Sequence, residues 1–116
     1  MELNFVEPEQ IPLPPEQVRV LRALAKPHPD RRRVKVSVKL TPFLERPDVE
    51  LRIVDEAGET VAEASVIECV EADFDLTLHI RLAPTADRAR LDVTILYPDR
   101  ALQHSLSLDF TLPPTG

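Results

Sequence analysis

Glycine is almost absent from this chain of 116 residues, which contains only Gly58 and Gly116. A phosphate-binding loop needs several glycines, because its backbone must approach the phosphate closely and adopt left-handed conformations. The usual nucleotide-binding motifs are therefore excluded. The serine-hydrolase pattern Gly-x-Ser-x-Gly is also missing, so the sequence offers no nucleophile elbow. We expect a protein without catalytic activity.

Cysteine occurs once, at Cys69, and tryptophan does not occur. A single cysteine cannot form an intrachain disulfide, so the stability must come from packing. The neighbouring Glu68 and Glu71 disfavour the thiolate, and we interpret Cys69 as a buried or half-buried structural residue rather than a nucleophile. One tyrosine and four phenylalanines are few for a sugar-binding module, which usually presents stacking aromatic rings.

Positive charge is in the minority, with 14 lysines and arginines against 20 acidic residues and a net charge of -6. Nucleic-acid-binding domains are normally basic, so we expect no nucleic-acid partner. Apolar runs are only a few residues long, and residues 1–5 have neither a basic start nor an apolar core, so neither a membrane span nor a signal peptide is expected. We expect a cytoplasmic protein with no membrane contact, cofactor or small-molecule substrate.

Alternation of apolar and polar residues is the dominant pattern that the sequence does contain. Residues 74–82 and 89–97 alternate almost without interruption. A period of two with one apolar face predicts strands half-buried in an antiparallel sheet. By this parity the aromatic side chains Phe74, Tyr97 and Phe110 are expected in the core.

Further strands are predicted wherever the alternation recurs. Residues 34–40 and 49–53 alternate clearly, residues 102–112 complete the set, and residues 61–69 form a weaker strand that is expected at a sheet edge. Between them, residues 55–59 contain Gly58, which can take the left-handed position of a hairpin turn. The twelve prolines suit the loops and edges of such a protein.

The segment before the first clear strand is ambiguous. Residues 16–25 fit either a strand or a short helix with proline at its start, and we favour the strand. Residues 26–30 are predicted to be a turn, because Pro27 and Pro29 disfavour regular structure. Residues 1–15, with four prolines, are expected to form an extended lead or an edge strand. Their Pro-x-x-Pro spacing lacks flanking arginine, which argues against a polyproline-type ligand.

About seven short strands without a long helix predict an all-β protein, an antiparallel Greek-key sandwich of two sheets that spans residues 16–114. Residues 78–93 also resemble the Leu-x-Ile and Asp-x-Ala-x-Tyr-x-Cys pattern of immunoglobulin domains, through Leu78, Ile80, Asp87 and Ala89. Two positions depart from that pattern, with Leu91 in place of the tyrosine and Val93 in place of the cysteine.

The resemblance therefore implies a disulfide-free immunoglobulin-like or fibronectin type III-like domain. Residues 29–34 and 40–43 are also similar to uncharacterised bacterial domains of this type. A fold of this kind implies no particular activity.

A cluster of basic residues is the candidate functional site. In an immunoglobulin-like sandwich the second and fifth strands are antiparallel neighbours, so the start of one lies near the end of the other. A basic corner in an acidic protein indicates either an anionic partner, since like charges opposed across strands are destabilising, or a solvated patch that nearby carboxylates neutralise. This basic corner is expected to contain Arg31, Arg32, Arg33, Lys35, His79 and Arg81.

Two alternatives to this site remain open. The last two strands are expected to form a flat outer surface of low charge, suited to a homodimer or a docking partner, with Thr94, Leu96, Gln103, Ser105 and Ser107. The acidic segment with Glu71, Asp73 and Asp75 either holds calcium or is a solvated acidic turn. A zinc site shared by His79 and His104 is not expected, because these residues should lie on different sheets. We thus expect a noncatalytic interaction module that binds an unknown protein or itself, or alternatively an ion-binding or anion-binding domain.

Overall fold

The computed structural model describes residues 11–81 and 86–114, and in these residues it contains seven strands in two antiparallel sheets. Two 3-10 turns, Pro15–Gln17 and Pro98–Arg100, accompany them. No helix in the described ranges is long and apolar enough to span a membrane. The three-stranded sheet has the order β1 (Val20–Pro27), β2 (Arg33–Leu40), β5 (Asp73–His79), and the four-stranded sheet has the order β4 (Thr60–Val66), β3 (Asp48–Asp55), β6 (Arg88–Tyr97), β7 (Leu102–Thr111).

The core lies between the two sheets and is built from alternate residues of each strand. Along β6, Leu91 and Val93 are fully buried and the intervening residues point outward. Along β2, the inward residues Val34, Val36 and Val38 are at most 1% exposed. Each such side chain contributes about 1.5–3 kcal/mol through burial. The predicted period of two is therefore the period on which the fold is built.

The connections confirm the all-β, two-sheet arrangement predicted from strand number and spacing. Hairpins join β1 to β2, β3 to β4 and β6 to β7 within a sheet, while the chain crosses between sheets after β2, β4 and β5. The weak strand β4 lies at a sheet edge as expected. Of the three aromatic side chains predicted in the core, Tyr97 is buried, whereas Phe74 and Phe110 are partly buried and pack against the edge of the core.

Gly58 forms the β3–β4 hairpin turn that the sequence predicts. Its φ of 86° is left-handed, and its N–H donates to the carbonyl of Asp55. The Asp55 carboxylate accepts hydrogen bonds at 2.9 Å from the backbone N–H groups of Ala57 and Glu59. Because glycine is scarce, other left-handed positions among the described residues are occupied by Arg31, Glu68 and Ala101.

The ambiguous segment forms a strand, and one detail of the turn prediction is wrong. After the 3-10 turn at Pro15–Gln17, β1 begins at Val20 and continues through Lys26 and Pro27, which were expected in the turn. Pro27 is tolerated because β1 is an edge strand. His28 N–H bonds the carbonyl of Arg33, so the neighbouring Pro27 nitrogen faces the free edge, where no donor is needed.

The N-terminal lead is extended in its described part. Leu13 forms an isolated parallel bridge with Phe43, donating to the carbonyl of Pro42 and accepting from the N–H of Leu44. Pro15 is buried. The rest of the predicted lead, residues 1–10, lies outside the described residues.

Candidate functional site

The pairing of β2 with β5 brings most of the predicted basic corner together. Arg33 is the register partner of His79, and Lys35 is the partner of Thr77. The N–H of Ile80 donates to the carbonyl of Arg32 at 2.9 Å, so the residue after Ile80, Arg81, lies at the same rim. The antiparallel neighbourhood inferred from the sequence is thus present.

Two members of this corner have carboxylate partners. The Arg33 guanidinium forms an ion pair with Asp30 at 3.1 Å, and the Lys35 ammonium lies 3.7 Å from Asp75. The pKa of Asp30 is lowered, chiefly by the backbone N–H of Arg32 and further by Arg33. All four side chains are exposed to solvent by more than a third, so each pair contributes little stability.

Arg31 has a structural role. Its guanidinium donates to the carbonyls of Pro113 at 2.6 Å and Ala86 at 2.5 Å. Its backbone is left-handed, with a φ of 61°. This residue therefore ties the end of the chain and the segment before β6 to the β1–β2 turn.

Three members of the corner face solvent without a carboxylate. Arg32, His79 and Arg81 are exposed and have no side-chain partner within residues 11–81 and 86–114. Together with Val61 and Ile80 they line an open depression of about 540 Å³. A depression with three cationic or protonatable groups and no counter-ion is suited to an anion.

The basic surface extends further than the sequence indicated, across the outer face of the three-stranded sheet. Lys26 lies directly opposite Lys35, and Arg22 lies directly opposite Lys39. The chain has three lysines in all, and all project from this face. We define the cationic face as Arg22, Lys26, Arg33, Lys35, Lys39 and His79. The acidic residues on the same face are Asp73, the partner of Lys39, and Asp75.

An apolar side chain lies in the middle of the cationic face. Leu24 is 53% exposed and is the register partner of Ser37, between the Arg22–Lys39 and Lys26–Lys35 rows. Ser37 in turn pairs with Asp75. The face therefore combines positive charge with one accessible aliphatic contact.

The outer face of the four-stranded sheet has a different electrostatic character. At its centre the Asp92 carboxylate accepts hydrogen bonds from Ser107 at 2.7 Å and from Arg90 at 2.9 Å, and lies 3.7 Å from Arg52. Partial burial raises the pKa of Asp92, but the bonds from Ser107 and Arg90 outweigh it, so that pKa lies below its usual value. Thr94 and Ser105 share a hydrogen bond across the strands. The charges around Asp92 are thus mutually compensated.

Exposed aliphatic side chains lie on loops at one end of the sandwich and were missed by the sequence reasoning. Leu44, Ile67 and Val70 are 66–68% exposed. Their loops are joined by the hydrogen bond from the N–H of Cys69 to the carbonyl of Pro47. Strand alternation gives no information about such positions, because it ends where the strands end.

The remaining sequence candidates, Glu71, Asp73 and Asp75 among them, form no metal-ligand cluster in the described residues. No group of three or more His, Cys, Asp or Glu side chains in residues 11–81 and 86–114 could hold a metal ion. Cys69 is buried, its thiol donates to the carbonyl of Glu71 at 3.1 Å, and burial raises its pKa. His79 and His104 lie on different sheets, as predicted.

Solved structures share this fold. No protein-family model matches the chain, and no curated protein matches it. The β-glucuronidase of Parabacteroides merdae aligns with a TM-score of 0.59 at 13% identity, over 84% of this chain and 13% of that chain. The ligand-free β-glucuronidase of Ruminococcus gnavus aligns with a TM-score of 0.55 at 15% identity, over 84% of this chain and 16% of that chain.

These similarities establish a β-sandwich fold. The chain spans only 13–16% of the length of these β-glucuronidase chains, so the likeness concerns one small part of each enzyme. At 13–15% identity a likeness of backbone carries no activity with it.

Proposed function

We propose that this chain is a noncatalytic protein-interaction module with an immunoglobulin-like or fibronectin type III-like fold, and that its cationic face binds an acidic segment of a partner protein. The observation that carries the proposal is the cationic face itself. In a protein of net charge -6, lysines face each other directly across β1 and β2. Like charges placed opposite one another on a sheet cost about 0.2–1 kcal/mol per pair, and a bound anionic segment removes that cost.

The composition of the face favours a peptide segment over a nucleic acid. The negative charge of the rest of the protein repels an extended polyanion. Asp73 and Asp75 interrupt the cations, which favours a short segment with spaced carboxylates. Leu24 supplies an apolar contact at the centre. The expected ligand is therefore a short acidic peptide with an apolar anchor.

The fold assignment within this proposal is supported by strand order. Three strands face four, β2 pairs with β5, and β3 lies between β4 and β6, an arrangement compatible with the sandwich architecture shared by fibronectin type III and immunoglobulin domains. The alignment to one small part of long glycoside hydrolase chains supports an accessory role rather than a catalytic one.

The test is the binding of a fluorescein-labelled acidic peptide, with spaced glutamates around a central leucine, measured by fluorescence anisotropy. Replacing Lys26 and Lys35 by serine removes two charges from the face and should weaken binding by about tenfold or more. The matched control replaces Arg46 and Arg52 by serine. Arg46 is exposed in the loop between β2 and β3, and Arg52 is exposed on the outer face of the other sheet. This control changes the net charge equally and should leave the affinity within about twofold.

Two results would contradict the proposal. Equal weakening in both double variants would show that only net charge matters. Absence of peptide binding, together with identical capture of lysate proteins by the wild type and the Lys26 and Lys35 double variant, would show that the face binds no partner.

A second candidate function rests on the depression lined by Arg32, His79 and Arg81. These side chains have no counter-ion among the described residues, so a small inorganic anion could bind there. Sulfate or phosphate should then raise the melting temperature. Replacing Arg32 and Arg81 by serine should abolish that shift, whereas chloride at equal ionic strength should not reproduce it.

A further inference from the structure

The free edge of β7 differs from the other three sheet edges of the described structure. Edge strands in soluble proteins are normally protected from pairing with other chains by charges, prolines, bulges or short length. β1 carries Arg22, Lys26, Pro27 and a register shift after Val20. The edges β4 and β5 are each seven residues long and carry outward carboxylates such as Glu63, Asp73 and Asp75.

β7 has less of this protection, because its one outward charge is Asp109, near the end of the strand. It is ten residues long and pairs with β6 in an uninterrupted register from Leu102 to Thr111. It contains no lysine, arginine or proline, and its outward residues are Gln103, Ser105, Ser107, Asp109 and Thr111. By the criteria that natural sheets use to avoid edge pairing, this strand is open.

The backbone groups at that edge are identified by the hydrogen bond that follows the strand. Leu112 N–H donates to the carbonyl of Asp87, which makes Leu112 and Asp87 a hydrogen-bonded pair. Because such pairs alternate along an antiparallel ladder, the even-numbered residues of β7 bond β6. The N–H and C=O groups that face the free edge belong to Gln103, Ser105, Ser107, Asp109 and Thr111.

The inward side chains of β7 are also incompletely covered. Leu106, Leu108 and Phe110 pack against the core but remain partly exposed, whereas the equivalent residues of β6 are buried. Three strands face four, so the three-stranded sheet does not cover this edge fully. An added strand beside β7 would cover apolar surface in addition to making main-chain hydrogen bonds.

We propose that β7 pairs antiparallel with β7 of a second copy of this chain, so that two four-stranded sheets join into one sheet across a two-fold axis. Free-edge groups meet only when odd-numbered residues pair with odd-numbered residues, which allows registers centred on Leu106 or on Ser107. Both place polar residues opposite polar residues on the outer face. Both also place Leu106 opposite Leu106 or Leu108 on the inner face.

The charges of β7 favour a second copy over a different partner. Asp109 is its one carboxylate, and in the two registers it lies opposite Gln103 or Ser105 of the other copy, never opposite the other Asp109. No like charges are therefore opposed. The outward polar residues meet polar residues, and of the inward residues only His104 meets a side chain of another class, Leu108 or Phe110. A two-fold interface requires such self-complementarity, and the strand satisfies it without any change in sequence.

The first experiment measures the oligomeric state of the full chain by sedimentation velocity as its concentration is raised. We expect a monomer–dimer equilibrium with a Kd below about 1 mM. The Ser105→Pro variant removes one free-edge N–H without removing a bond to β6, and should remain monomeric. The control Lys26→Ser plus Lys35→Ser changes the cationic face and should dimerise like the wild type, so that failure of the peptide-binding proposal and failure of this one are distinguished.

The second experiment measures protection of the β7 edge amides in the wild type, so it does not require a variant that folds. Amide hydrogen exchange followed by NMR should slow for Ser105, Ser107 and Asp109 as concentration rises, by about tenfold when nine tenths of the chains are paired. Amides at the edges β1, β4 and β5 should not change. A wild type that stays monomeric near 1 mM, or a dimer whose concentration-dependent protection lies outside β7, would overturn the proposal.

Discussion

Replacing Asp92 by asparagine should destabilise the protein measurably, because this carboxylate is the shared acceptor of the outer face of the four-stranded sheet. Its side chain is 14% exposed, while those of Arg90 and Arg52 are 49% and 54% exposed. The asparagine keeps an oxygen for Ser107 but loses the charge that both guanidinium groups face. The variant thus isolates the electrostatic part of the site.

The expected loss is about 1–1.5 kcal/mol in the free energy of unfolding. A hydrogen bond to a charged group contributes about 1.5–3 kcal/mol, and an exposed ion pair contributes about 0–1 kcal/mol. Solvent screening of the two arginines and the retained Ser107 bond place the loss between these two ranges. With an unfolding entropy of roughly 0.24 kcal/mol/K for a domain of this size, the melting temperature should fall by about 4–6 °C.

The pH dependence of the stability difference distinguishes a loss of electrostatic interactions from a loss of packing. The pKa of Asp92 is lowered in the folded state, so its contribution is fully present above the unfolded pKa of about 3.8 and is lost as the pH falls through the folded value. Urea unfolding followed by circular dichroism should therefore show a difference between wild type and variant at pH 7 that shrinks below about pH 3.8. The control Asp99→Asn, at an exposed residue, should change little. A difference that persists unchanged in acid, or an equal loss in the control, would refute the electrostatic account.

Two further predictions concern His104 and Cys69. The Nδ1 atom of His104 accepts a hydrogen bond from the N–H of Val20 at 3.2 Å, and burial, with Arg19, lowers its pKa; stability should fall as the pH drops below about 6.5, where the unfolded chain takes up the proton first. In the His104→Gln variant the urea midpoint should change less between pH 7.5 and pH 5 than in the wild type. An equal change in both proteins would contradict this role of His104. The Cys69 thiol is buried with a raised pKa, so a disulfide reagent should label the native chain far more slowly than the chain in urea; equal rates would contradict its structural role.

The strands were predictable wherever one face of the sheet is continuously buried. β2 and β6 place an apolar residue at every second position. This spacing fits a strand and does not fit a helix. β1 was ambiguous for a physical reason. Its buried residues Val20 and Ala23 are three apart, because the register shifts between Val20 and Arg22. Three is a helical spacing, so local sequence could not decide between helix and strand.

The same register shift explains why the cationic face was only partly predicted. Without a defined parity for β1, the side chains of Arg22 and Lys26 could not be assigned to the face that carries Lys35 and Lys39. The neighbourhood of β2 and β5 was predictable from the immunoglobulin-like resemblance. The hydrogen bond from Arg31 to the carbonyl of Pro113 was not predictable, since the two residues are 82 positions apart and no sequence periodicity relates them.

The turns of this protein have a consequence for how it meets a partner. Twelve prolines accompany two glycines, and left-handed turn positions are filled by Arg31, Glu68 and Ala101, which have fewer accessible conformations than glycine. Little conformational freedom is then left for the domain to lose on association. We expect the domain to bind as a rigid body while the ligand adopts its bound conformation. The association rate should then depend on salt concentration and hardly on internal motions of the domain.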